Sequence, residues 1–85
     1  MSQKLYVFAA RDAKAEIYGT PMFFPTVGLA TRAFSEQANN PESMICKHAE
    51  DFCLFRIGEY DQDTGLLTPL PAPESMGLGI DFKES

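Results

Sequence analysis

The sequence predicts an α+β fold: a small antiparallel sheet of three to four strands, one helix packed on one face, and a Pro-rich C-terminal arm. Three stretches predict it. Lys4 to Ala10 alternates in strand fashion. Asp51 to Leu67 reads as strand, tight turn and second strand. Val27 to Asn39 carries apolar residues at helical spacing. Eighty-five residues make one domain, read here as a folded part, 1–68, and an acidic Pro/Gly-containing arm, 69–85.

The hairpin is the most informative run. Phe52 to Tyr60 is rich in aromatic and branched residues, which suit a pleated, partly buried surface. Asp61 and Gly65 are the structural turn residues. Asp61 can accept a hydrogen bond from the backbone two residues on, and Gly65 can take a positive φ. Leu66-Leu67 begins the return strand, which Pro69 is expected to stop.

In the first strand Leu5, Val7 and Ala9 point one way, and Lys4, Tyr6 and Phe8 the other. Arg11 to Glu16 is a polar turn. Glu16 to Phe24 is extended, but Gly19 and Pro21 interrupt it, which predicts an irregular edge strand. Thr26 can cap the helix. Val27, Ala30, Phe34 and Ala38 give that helix an apolar face, and Asn39-Asn40-Pro41 ends it. Beyond Pro69 the chain reads as an extended tail. Met76, Leu78, Ile80 and Phe82 alternate with smaller or polar residues, as in a short strand or an arm docking on this chain or another.

The net charge is −5. Most of it lies after residue 60, where Lys83 faces Asp61, Asp63, Glu74, Asp81 and Glu84. An acidic total argues against broad, non-specific binding to phosphate backbones. Two cysteines, Cys46 and Cys53, do not make a disulfide scaffold. No apolar run approaches the ~18 residues of a membrane span. The reading is a reducing cytoplasm and no membrane.

One helix can cover only one face of such a sheet. With Leu5, Val7 and Ala9 turned to the helix, Cys53, Phe55 and Ile57 pair with them. Lys4, Tyr6, Phe8, Phe52, Leu54, Arg56 and Tyr60 are then left on the far side. An apolar face of that size seldom stays open in a monomer. A second chain or the C-terminal arm would cover it, making a homodimer the expected assembly. Alternatively it is a stacking platform for unpaired nucleobases. The candidate nucleic-acid-binding residues are then Lys4, Tyr6, Phe8, Arg32, Arg56 and Tyr60.

Chemistry beyond binding finds little support. Cys46, His48 and Cys53 offer three zinc ligands but no fourth at a persuasive spacing. Asp61-x-Asp63 echoes a calcium loop, but its sixth and twelfth positions are Leu66 and Ala72 rather than glycine and glutamate. No nucleophile–base pair or phosphate-binding glycine loop stands out. No catalytic residue, metal or cofactor is expected.

The order of parts resembles a known family. Lys4-Leu-Tyr6, Ala30-x-Arg32-x-Phe34, and Glu50-Asp-Phe-x-Leu-Phe-x-Ile-Gly-Glu-Tyr-Asp61 with Thr64-Gly65 carry the resemblance over about residues 4–70. They look like the small non-structural protein of gokushovirus-type microviruses, phages with circular single-stranded DNA. The resemblance implies a non-enzymatic accessory protein in genome replication or packaging, within the host bacterial cytoplasm. Its expected partner is single-stranded DNA or a viral replication or packaging protein. The alternative is a protein-interaction regulator of such a complex, with no direct DNA contact.

Overall fold

Nine residues, Lys4–Asp12, form the central strand β1 in a computed structural model that describes residues 3–83. Val7, Phe8 and Ala9 are buried in succession at the middle of β1, Phe8 on one face and the smaller Val7 and Ala9 on the other. Along one edge β1 pairs antiparallel with β4 (Phe52–Asp61). Along the other it pairs with two short pieces, β2 (Ile17–Tyr18) near Arg11 and β3 (Met22–Phe24) near Val7. Gly19 and Pro21 lie between these pieces, and the Gly19 amide still donates to the Ala10 carbonyl (2.8 Å).

β5 (Leu66–Leu78) completes a five-stranded antiparallel sheet in the order β2-β1-β4-β5, with β3 beside β2 on β1. The sheet is larger than the three to four strands expected. The extra strand comes from the Glu16–Phe24 segment, which is split into β2 and β3, and the extra length from residues 69–78, which continue the outer strand and are not a separate arm. A boundary at 68/69 would cut β5, which pairs with β4 from Asp61↔Leu66 to Cys53↔Leu78. Pro69 does not stop the strand. Proline lacks only the amide donor, which an edge position facing solvent does not use. Between Gly58↔Pro69 and Arg56↔Glu74 the outer strand has four residues, 70–73, against one on β4. Pro71 and Pro73 sit in that bulge, out of the ladder.

The turn joining β4 to β5 is held by Asp61, whose Oδ1 accepts from the amides of Asp63 (2.9 Å) and Thr64 (3.3 Å). Gly65 follows with φ 75°, in the left-handed region that glycine enters without a Cβ clash.

α1 (Val27–Ala38) is capped by Thr26, whose Oγ1 accepts from the Leu29 amide (3.1 Å). Ala30, Phe34 and Ala38 are its buried residues. Short turns α2 (Met44–Lys47) and α3 (Gly79–Phe82) fill in beside it. The Asn39 side chain donates to the Phe82 carbonyl (3.0 Å), tying the end of α1 to α3.

The helix covers the face opposite to the one expected. The core is Phe8, Ala30, Phe34 and Leu54, with Tyr6, Ala10, Phe24, Phe52, Met76 and Phe82 packed against it. Phe8 and Leu54 are fully buried. The physical reason lies in the partners. On that side Tyr6, Phe8, Phe52 and Leu54 meet Phe24, Phe34, Met76 and Phe82, so one continuous cluster of large side chains leaves water together.

Candidate functional site: the uncovered sheet face

Turning the large rings toward α1 leaves Leu5, Val7, Ala9, Phe55 and Ile57 on the open face. A β-bulge then changes the parity of β4. Val7 stands opposite Gly58, but Phe8 stands opposite Arg56, so Ile57 is the extra residue. Up to Arg56 the even positions of β4 face the helix. Past the bulge, Gly58 and Tyr60 face the other way. Tyr60 is opposite Leu5 and Leu67 and makes an edge-to-face contact with Phe23 at 5.7 Å.

Two regions follow along this face. At the hairpin end lies a groove of about 230 Å³ with almost no polar surface, walled by Val7, Pro21, Phe23, Ile57, Leu67 and Pro69. Roughly 13 Å away, four residues along β1 at ~3.3 Å each, is a different cluster. There Tyr18 meets Phe55 edge-to-face at 5.5 Å, and the Arg11 guanidinium lies 5.7 Å from the Tyr18 ring centre. Register places them together: Arg11 is opposite Tyr18, and Ala9 is opposite Phe55.

The six residues expected to bind nucleic acid do not share a surface. Phe8 is sealed under α1, which removes it from any stacking platform. Tyr6, on the same side, carries the Arg56 guanidinium 4.8 Å from its ring centre. Arg56 also meets Glu59 (3.0 Å) and Glu74 (3.6 Å), and its buried Nε has no hydrogen-bond partner. Lys4 reaches the same Glu59 (3.8 Å). Arg32 projects from the outer side of α1 and pairs with Glu36 (3.7 Å). Of the six, only Tyr60 lies on the open face, against Phe23 at the edge of the groove.

A family model described as Phage ORF5 protein matches residues 5–82 of this sequence. The chain belongs to that family. It is a small phage protein. No curated protein and no solved structure matches it.

The Phage ORF5 match runs from β1 through α3, so the proline-containing edge strand is part of the family's domain. Among the described residues of this family member, no three histidine, cysteine or acidic side chains gather where they could hold a metal ion. No helix among them is long and apolar enough to cross a membrane. The carboxylate pairing is uneven. Lys4, Arg32 and Arg56 are each in ion pairs, whereas Arg11 and Lys14 have none among the described residues.

Sequence reasoning missed Arg11, Tyr18, Phe23, Phe55 and Leu67 as open-face residues. One signal was available. Gly58 interrupts an otherwise aromatic and branched strand, and a glycine in that setting marks a bulge or a close backbone approach. Both occur. A Cβ on Gly58 would lie 2.7 Å from the Thr68 carbonyl oxygen. Allowing for that bulge separates Tyr60 from Tyr6, Phe8 and Arg56.

Proposed function

We propose that this phage protein is a non-enzymatic accessory factor of a gokushovirus-type microvirus. It acts in the host bacterial cytoplasm, in replication or packaging of the single-stranded DNA genome, and it binds that DNA directly. The observation that carries the reading is the Arg11–Tyr18–Phe55 cluster. Tyr18 and Phe55 are rings on an uncovered sheet face, and Arg11 is a cation beside them with no carboxylate partner among the described residues. Unpaired bases stack on such rings regardless of sequence, while a nearby cation meets the phosphates.

A fluorescence anisotropy titration with labelled oligothymidylate tests this reading. Binding is expected at low salt and should weaken as salt rises. Tyr18→Ala should cost about 1–3 kcal/mol, the loss of one stacked base. Arg56→Gln should leave affinity nearly unchanged, because Arg56 is held by Glu59 and Glu74 on the helix side. No binding by the wild-type protein at low salt contradicts the reading.

The groove favours a second reading, a protein-interaction regulator without direct DNA contact. Its walls are almost wholly apolar and the chain is acidic, which suits an apolar protein segment better than a phosphate backbone. Under that reading wild-type protein retains a viral replication or packaging partner, and Tyr18→Ala changes nothing.

A further inference from the structure

We infer that the DNA strand held at the Arg11–Tyr18–Phe55 cluster runs across the sheet, from β2 to β5, and that the Ser75 hydroxyl on the outer strand is its far contact. This rests on the proposed DNA binding. It adds the path of the bound strand and a polar residue that touches it.

Register lays out the path. Neighbouring strands lie about 4.8 Å apart, so the route from β2 over β1 and β4 to β5 is about 14 Å long. Tyr18 is opposite Arg11, and Arg11 is opposite Cys53. Phe55 is the next residue of β4 on that face, and it stands opposite Ser75. Ser75 is exposed, and its hydroxyl lies 3.3 Å from the Cys53 sulfur. That contact keeps the hydroxyl on the open face, next in line after Phe55.

Polarity selects this route over the one along β1. A DNA strand carries a charge at every nucleotide, and a phosphate taken from water needs a polar partner. Toward the hairpin the open face becomes the groove, with Val7, Phe23 and Ile57 in its walls and almost no polar surface. A phosphate laid there would lose water and gain nothing. Across the sheet the route passes the Arg11 guanidinium, the Cys53 thiol and the Ser75 hydroxyl.

Charge favours the same route. Lys14, in the turn that joins β1 to β2, is a second cation without an ion pair among the described residues, at the end where the route begins. Glu74 is beside Ser75 in sequence, but it stands opposite Arg56 and pairs with it (3.6 Å) on the helix side. Its carboxylate is therefore turned away from the path.

The chemistry suits a single strand. Two rings offer faces to two unpaired bases, which a duplex keeps stacked inside. A serine hydroxyl donates and accepts, so it can meet a phosphate oxygen or the edge of any base.

Amide NMR of the full chain, titrated with oligothymidylate, tests this alongside anisotropy. Shifts are expected at Arg11, Tyr18, Phe55, Cys53 and Ser75, with Val7, Ile57 and Leu67 unmoved. Ser75→Ala should weaken binding roughly 2–10-fold, the share of one hydrogen bond, with an unchanged thermal midpoint. Ser75→Thr keeps the hydroxyl and should bind as the wild type does. Leu67→Ala, in the groove, should also bind normally. Binding with shifts at Val7, Ile57 and Leu67 but none at Ser75 overturns the crossing path and leaves DNA binding standing. So does a Ser75→Ala variant that binds as tightly as wild type. No binding and no shifts at low salt overturn the DNA reading itself, and the path with it.

Discussion

Phe8→Ala is expected to lower stability by about 3–5 kcal/mol, the usual cost of emptying a buried aromatic site. Phe8 has no exposed surface and sits between Ala30, Phe34 and Leu54, with the Phe24 ring edge-on at 6.0 Å. β1 cannot collapse into the gap, because it is hydrogen-bonded on both edges. For a domain of this size each kcal/mol moves the thermal midpoint by roughly 4–8 °C, so a fall of at least ~12 °C is expected. Phe23→Ala removes the same kind of side chain from the open face. There the ring is 44% exposed, and the loss should be well under half as large. Thermal unfolding followed by circular dichroism measures both. Equal losses would mean that both rings are core residues, and the assignment of the two faces would be wrong.

Gly58→Val should be nearly as damaging for a different reason. Any Cβ at Gly58 lies 2.7 Å from the Thr68 carbonyl oxygen and 3.3 Å from Pro69 Cα, both backbone atoms that cannot swing away. Relief requires β5 to separate from β4 beside the bulge. Overpacking of this kind costs about 1–3 kcal/mol, and the branched valine puts the expected effect at the upper end. Gly65→Ala provides the contrast. It meets nothing within 4 Å, and its cost comes only from a φ of 75°. That penalty is about 1 kcal/mol. Urea denaturation should rank Gly58→Val well below Gly65→Ala, and the reverse order would contradict the close approach of β5 at Gly58.

What could be read from the sequence was local. Thr26 and the spacing of Ala30, Phe34 and Ala38 specify α1 because a helix is capped and patterned by its own neighbours. The Asp61–Gly65 turn is likewise built from side-chain bonds two and three residues apart. What could not be read was long-range. Whether Phe8 or Val7 lies under Phe34 depends on which of two apolar faces Phe24, Met76 and Phe82 also close over, and both alternations fit β1 equally well. The fate of Pro69, Pro71 and Pro73 depends on their being at an edge, which only the pairing with β4 decides. The same applies to the site. Tyr60 was placed with Tyr6, Phe8 and Arg56 by counting residues, and the single extra residue at Ile57 puts it on the opposite side.

The two faces therefore differ in what they carry. The helix-covered side contains the core and the Arg56–Glu59–Glu74 ion pairs. The open side contains the apolar groove and the Arg11–Tyr18–Phe55 cluster.

That division is tested most directly by nuclear Overhauser contacts from the Phe34 ring in the folded protein. The structure predicts cross-peaks from its ring protons to the Leu54 methyls and the Phe8 ring. Cross-peaks from Phe34 to the Val7 and Ala9 methyls, with none to Leu54, would show the helix on the other face and contradict the account.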